Sequence, residues 1–311
     1  MIMHRGEQTL AIRALKSAAP YIRMYKGKTF IVKAGGGVFA DTESTRVLLE
    51  QVAILHYFGV RVVMVHGGGP QTTEISEALG VPTRMVEGRR VTDAKAIDVA
   101  SMVLNGLINT RILGLCRDLN IDAVGISGID AGLVRAHRRA PVKLGSGETV
   151  DYGFVGDIDG IDTTVIRKLL DNGLMPVVSP LSADEHGVLL NINADTVAAA
   201  IGAALGAEKL ILCTGAPGIL ERVEDPTSLI SYTDLRGLER LREEGRIADG
   251  MLPKAKAIEN AIHGGVRRIH VVSYKSPEGI LGEVFTNEGT GTLIVADVNA
   301  LTPAEQQSTG A

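Results

Sequence analysis

Tryptophan is absent from the 311 residues, and Tyr and Phe are few. Stacking platforms for single-stranded nucleic acid are therefore not expected. Only two cysteines occur, Cys116 and Cys213, far apart and without metal-ligand residues nearby. A disulfide scaffold and a cysteine-based zinc site are excluded, and a reducing, cytoplasmic setting is expected. No run reaches the ~18 consecutive apolar residues of a membrane span. Met1 to Lys16 carries charge throughout and has no apolar stretch of the kind a secretory signal needs. Charge of one sign is also lacking, since 32 Lys and Arg stand against 36 Asp and Glu for a net −4. That balance removes both the basic footprint of a nucleic-acid binder and a polyacidic tail. Neither nucleic acid nor membrane is an expected partner.

What the chain does have is glycine, 37 in all, above the usual share of about 7% and without period. Its length suggests two domains or lobes. Thr29–Ala34, Val60–His66, Leu174–Ser179, Lys209–Thr214 and Arg268–Ser273 are short apolar runs rich in Val and Ile. Strands buried on both faces of a parallel sheet read this way. Helical periodicity fills the intervals at Ser44–Phe58, Gln71–Leu79, Ala94–Asn120, Thr163–Asn172, Asp195–Leu205 and Lys254–His263. The alternation predicts an α/β fold with a mainly parallel sheet and helices on both faces. Leu133–Asp157 breaks it by alternating apolar and polar residues around Gly145-Ser146-Gly147, which predicts a hairpin or small antiparallel insertion. Before the first strand, Glu7–Tyr25 is amphipathic, with Ala11, Leu15, Ala18 and Ile22 on one face and a kink expected at Pro20. That face either docks on its own domain or meets another subunit.

The glycines concentrate where strands end. The first strand ends on Lys33 and runs into Gly35-Gly36-Gly37. A lysine there is costly to desolvate unless an anion meets it, and backbone amides beside it can close around phosphate. The second strand delivers His66-Gly67-Gly68-Gly69-Pro70 into a helix whose positive end favours anions. Two such loops on neighbouring parallel strands face one crevice, which favours a phosphate site over two tight turns. No GxxxxGK[ST] string occurs. Gly35, Gly37 and Ala40 fit a loose dinucleotide pattern, but the second strand ends in His66, not in an acid for a ribose.

Three further strings carry polar groups. Glu87-Gly88-Arg89-Arg90-Val91-Thr92-Asp93 offers an arginine fork for a carboxylate, or else a solvated charge run, before a helix capped by Thr92 or Asp93. Asn191-Ile192-Asn193-Ala194-Asp195 opens an Ala-rich helix, and capping would use only one of its three polar side chains. Gly250-Met251-Leu252-Pro253-Lys254 sets a second lysine at a helix start, where the dipole disfavours it unless phosphate lies between.

From about Tyr21 to Val295 these motifs, in this order, resemble the amino-acid kinase family, in particular its branch acting on N-acetyl-L-glutamate. The resemblance implies an open α/β/α sandwich with two lobes. Residues 26–206 would bind the acylated amino acid and dimerise, 207–299 would bind ATP, and 300–311 would form a tail. The segment Asp151–Gly156 would cover the substrate. Lys33 and the amides of Gly35, Gly36, Gly67, Gly68 and Gly69 would hold the transferring phosphoryl group. Lys254 would neutralise the leaving side and Asp195 would orient both lysines. Gly68, Gly69, Arg90 and Asn191 would hold the acylated amino acid, and Thr214, Gly218 and Lys254 the nucleotide. Mg²⁺ would ride on phosphate oxygens and water, with no protein metal site. Two strings depart from the family's commoner Thr-Asp-Val-Pro-Gly and Ile-Asp-Gly-Arg, namely Thr214-Gly215-Ala216-Pro217-Gly218 and Val272-Ser273-Tyr274-Lys275.

The same resemblance implies feedback by L-arginine. Residues 1–25 would form a kinked helix joining homodimers into a hexamer, a trimer of dimers. Its Ala19-Pro20-Tyr21-Ile22 string and the segment Glu283–Thr292 are similar to those of arginine-sensitive members. Tyr21, Lys209, His270, Glu283 and Gly289 would form the effector site. The alternatives are a kinase-like domain that only binds an amino acid and regulates, or a kinase for acetylaminoadipate or succinylglutamate. An appended acetyltransferase domain is not expected in a chain ending at Ala311, and both lysines and Asp195 favour the enzyme.

Overall fold

Alternation within single strands divides the interior into two layers. In Thr29–Ala34, Phe30, Val32 and Ala34 enter one apolar cluster while Ile31 enters the other. Side chains two apart share a face, so Lys33 lies on the Ile31 side. The computed structural model describes residues 5–87, 89–222, 224–225, 227–247, 251–286 and 289–300. Gly88, Gly250, Asn287, Glu288 and residues 301–311 of the expected tail lie outside the described residues.

The central sheet has eight strands, in the spatial order Tyr232–Asp234, Thr292–Val295, Arg268–Ser273, Lys209–Thr214, Thr29–Ala34, Arg61–His66, Met175–Ser179 and Ala123–Ser127. All neighbours are parallel except Arg268–Ser273 with Thr292–Val295. Strands from before and after residue 207 occupy opposite halves of this one sheet, meeting where Ala34 pairs with Cys213. One face is covered by Thr42–Tyr57, by the helical stretch from Ala94 to Asp118 and by Gly279–Phe285. The other is covered by Thr164–Asp171, Ala194–Leu205, Leu235–Glu243 and Leu252–His263.

Helix ends follow local chemistry. Asp41 caps Thr42–Tyr57 through a 2.7 Å bond from the Ser44 amide, and Asp93, not Thr92, caps Ala94–Ser101 by accepting from the Ala96 amide at 2.8 Å. Gly206, at φ 63°, ends Ala194–Leu205 in the left-handed conformation that glycine adopts without steric cost. The stretch expected as one helix over Ala94–Asn120 contains a wide π-helical segment at Met102–Ile108. By length and composition Ala94–Asp118 is apolar enough to cross a membrane. Its Val99, Ala100, Val103, Leu104, Ile108, Ile112 and Cys116 are instead built into the core under the sheet.

The region expected as a hairpin is split. Val142–Lys143 and Thr149–Val150 pair around the glycine turn, while Val134–Arg138 and Gly156–Ile161 belong to a separate four-stranded sheet with Leu181–Ala183 and Leu189–Asn191. The first helix spans Arg5–Tyr25 with Pro20 inside it. Tyr25 is buried, Ala18 and Ile22 are half-buried, and Ile12 and Leu15 remain 55% and 57% exposed. Docking on its own subunit therefore accounts only for the end of the expected apolar face.

Candidate active site

The strand ends create the site. Four parallel strands, Arg268–Ser273, Lys209–Thr214, Thr29–Ala34 and Arg61–His66, stop on one edge, and their following loops lie side by side. A cavity of about 280 Å³ opens there, lined by Lys33, Gly35, Gly36, Gly67, Gly68 and Gly69, by Arg89, Arg90 and Arg139, and by Asn191 and Asp195. The two glycine loops touch. A Cβ on Gly36 would come 2.6 Å from Pro70 Cδ and 3.1 Å from Gly68 Cα, and one on Gly68 would come 2.3 Å from Ile108 Cδ1. The loop approach leaves no room for a side chain at Gly36, while at Gly68 the crowding comes from the Ile108 and Leu104 side chains. The π-helical segment supplies Ile108 and also Leu104 in the cavity wall. Gln71 ties the loops further, its Nε2 donating to Gly36 O at 2.7 Å.

At the base of the cavity, Asp195 Oδ1 is 2.9 Å from Lys33 Nζ and 2.9 Å from Lys254 Nζ. All three residues are buried, at 8%, 7% and 9% exposure. Burial pushes the Asp195 carboxyl up, but the charges of Lys33 and Lys254 and their hydrogen bonds outweigh it, and the group rests at about 2. Burial and the neighbouring Lys33 charge lower the Lys254 pKa, opposed by Asp195. One anion thus holds two cations that would otherwise repel. Asn193 takes the capping role alone, its Oδ1 accepting from the amides of Asp195 and Thr196 at 2.8 and 3.2 Å. That leaves Asn191 free to line the cavity, with a 3.5 Å contact to Thr92 Oγ1, and Asp195 to bridge the lysines.

Arg90 is fixed by its neighbours. It donates from Nη1 to Thr83 Oγ1 at 2.9 Å, and from Nη2 to Thr73 Oγ1 at 2.6 Å and Gly69 O at 3.2 Å. A guanidinium held this way is pre-oriented at the cavity wall, unlike a solvated charge run. Arg139 is a wall residue that motif spacing did not reveal. It grips Asp157 through Nε at 3.1 Å to each oxygen and through Nη2 at 2.5 Å. Val155, from the segment expected to cover the substrate, lines the cavity as well. His66 is wholly buried, its Nε2 3.2 Å from Asn109 Nδ2 and its Nδ1 3.3 Å from Gly67 O. Burial takes it down to about 4, so it is a neutral support for the second loop.

The remaining expected residues lie elsewhere. Thr214 ends the strand Lys209–Thr214 and Gly218 lies in the loop after it, and neither lines the cavity. Thr214 Oγ1 bonds Ala216, and a Cβ at Gly218 would meet Thr292 Oγ1 at 2.6 Å, so that glycine serves close packing. Lys209, His270 and Glu283 form a separate buried chain under the first face. Lys209 Nζ is 2.9 Å from His270 Nε2, and His270 Nδ1 is 2.8 Å from Glu283 Oε1. Glu283 Oε2 accepts from the amides of Thr290 and Gly291 at 2.7 and 3.1 Å. Gly289, at φ 47°, turns the chain beside Glu283, and Tyr21 packs on the adjoining core.

Touching glycine loops, a carboxylate clamped by two lysines and a basic wall, set at the ends of parallel strands, form an α/β cleft whose chemistry suits a phosphate-bearing ligand. The sequence profile of the amino acid kinase family matches residues 28–273, and the chain belongs to that family. It is 46% identical over 296 residues to the acetylglutamate kinase of Myxococcus xanthus, covering 94% of this chain and 96% of that protein. It is 38% identical to the chloroplastic acetylglutamate kinase of Arabidopsis thaliana over 283 residues, 91% of this chain and 80% of that one. Among solved structures it is similar to N-acetylglutamate synthase from Neisseria gonorrhoeae complexed with coenzyme A and N-acetyl-glutamate. The TM-score is 0.80 at 25% identity, over 92% of this chain but only 64% of the synthase's length. Carbamate kinase from Giardia lamblia bound to AMP-PNP shares the fold, with a TM-score of 0.61 at 19% identity over 87% of this chain and 99% of that one.

Proposed function

We propose that the enzyme transfers the γ-phosphoryl group of ATP to the side-chain carboxylate of N-acetyl-L-glutamate, a step of arginine biosynthesis. The observation that carries this reading is Asp195 bridging Lys33 and Lys254 at the foot of the two glycine loops. A carboxylate oxygen attacks the γ-phosphorus, the bond to the β,γ-bridging oxygen breaks, and ADP leaves while an acyl phosphate forms. The nucleophile is an anion at neutral pH, so no general base is required. The difficulty is repulsion between an anion and a polyanion, which calls for positioning and charge neutralisation. Lys33 and the amides of Gly35, Gly36, Gly67 and Gly68 take the transferring group, Lys254 the leaving side, and Arg90 and Asn191 the acylated amino acid.

Among the described residues no group of three or more His, Cys, Asp or Glu could hold a metal, and Asp195 is already engaged by both lysines. Mg²⁺ therefore enters with ATP as part of the substrate, on phosphate oxygens and water. ADP release measured with acetylglutamate, succinylglutamate, acetylaminoadipate, aspartate and carbamate tests the assignment. Preference for acetylglutamate is expected, and binding without turnover of any of the five would point to the regulatory alternative.

L-Arginine is proposed to act at Lys209, His270 and Glu283. Glu283 accepts from His270 at one oxygen and from the amides of Thr290 and Gly291 at the other, and its carboxylate keeps acceptor capacity for a guanidinium. Arginine bound there inhibits by favouring an open arrangement of the lobes over the closed one. The exposed Ile12 and Leu15 of the first helix support its use as a contact between dimers in a hexamer.

A further inference from the structure

The two strings that depart from the family's common form meet in the fold. Tyr274 follows the strand Arg268–Ser273, and its amide donates to Thr214 O at 2.9 Å. Its half-buried ring packs on the first core and crosses the neighbouring loop, where a Cβ on Gly215 would lie 3.5 Å from the phenol oxygen. The same oxygen reaches Gly37, where a Cβ would lie only 2.8 Å away. No hydrogen-bond partner holds this hydroxyl among the described residues. Its surroundings define it by contact: the loop after one strand, passed over the loop of the next, bearing on the loop of a third. On the other side of that third loop Gly36 is closed in by Pro70 and Gly68.

We propose that Tyr274 is a positioning residue whose phenol wedges the Gly35–Gly37 loop against the Gly67–Gly69 loop and so fixes the amides that hold the transferring phosphoryl group. The proposal rests on the phosphoryl-transfer reading above. It also gives a use to the small residue at 215, where even a Cβ would already lie in contact with the phenol oxygen at 3.5 Å.

The contact is confined to one oxygen, which makes it separable. Gly37 is not in the left-handed region, so alanine there brings no backbone strain, only a methyl 2.8 Å from the hydroxyl. Removing the hydroxyl leaves the ring carbon Cζ at 3.5 Å, an ordinary contact. Gly37→Ala, Tyr274→Phe and the double variant are compared for kcat, both KM values, melting temperature, and calorimetric binding of AMP-PNP without acceptor. Gly37→Ala should lower kcat roughly tenfold or more, as displaced catalytic groups do, with the KM for the acylated amino acid nearly unchanged. Tyr274→Phe alone should have a smaller effect, and the double variant should return to the level of Tyr274→Phe. A double variant as slow as Gly37→Ala, or a fully active Gly37→Ala, would overturn the wedge. If Gly37→Ala does not fold, the double variant must still fold and turn over, and its failure to do so also overturns the proposal. An inactive wild-type enzyme would tell instead against the phosphoryl-transfer reading, and AMP-PNP binding by the variants then still reads the loop contact.

Discussion

Replacing Asp195 by Asn removes the charge between two buried ammonium groups while keeping size and shape. The carboxyl rests at about 2 against an ordinary 3.8, because two lysine charges and their bonds overcome its burial. At 1.36 kcal/mol per pKa unit, that depression corresponds to about 2 kcal/mol of folding stability. The sign is that of a lowered acid: the contribution is complete above about pH 4 and is lost as pH falls through about 2. The substitution costs more than this, since Lys33 and Lys254 are then left facing each other without an anion. Breaking a buried ion pair on one side typically costs ~3–5 kcal/mol. For a chain of this length that is a fall in melting temperature of roughly 5–8 °C. Turnover should fall by on the order of 10²–10³, because both lysines lose their orientation. Losing Asp195 also removes what opposes the lowering of the Lys254 pKa, so the alkaline limb of the kcat profile should move to lower pH. Thermal melts at neutral pH and steady-state ADP release across pH measure all three. Turnover within about threefold of wild type, with an unshifted alkaline limb, would refute the bridging role.

Lys33→Ala should lower kcat by orders of magnitude with smaller changes in either KM, since its charge is wanted most as the phosphoryl group transfers; near wild-type turnover would remove it from the mechanism. Arg90→Lys should raise the KM for the acylated amino acid more than it lowers kcat, because an ammonium cannot reproduce the fork held by Thr83, Thr73 and Gly69; an unchanged KM would return Arg90 to a structural role. The full chain should lose activity in L-arginine, and a version starting at Lys26 should lose both that response and the higher oligomer by light scattering. An arginine-insensitive full chain would end the feedback claim, and an unchanged mass after truncation would show that the first helix is not a subunit contact.

The strands were legible because burial on both faces leaves only continuous apolar runs, and all five expected runs lie in the central sheet. The three missing strands are short or edge-placed. Tyr232–Asp234 has three residues and a polar composition, and Thr292–Val295 runs antiparallel to its neighbour. Periodicity could not show the π-helical segment at Met102–Ile108 either, since its apolar residues continue the helical pattern on both sides. What fixes it is tertiary: Ile108 and Leu104 close over Gly68.

Site residues were legible where a side chain contradicts its local setting. Lys33 at the end of a buried strand, Lys254 near a helix start and a third polar residue beyond the cap at Asp195 each make poor local sense, and the fold brings all three to one oxygen. Arg139 gave no such signal, because an arginine in an alternating strand region looks like any exposed charge. Only pairing of Val134–Arg138 with Gly156–Ile161 brings Asp157 beneath it and turns it toward the cavity. Tyr274 was visible only as a departure from a family string, and so was Gly215. Neither string shows what the fold does, which is to pass the phenol of one 3.5 Å from where a side chain at the other would begin.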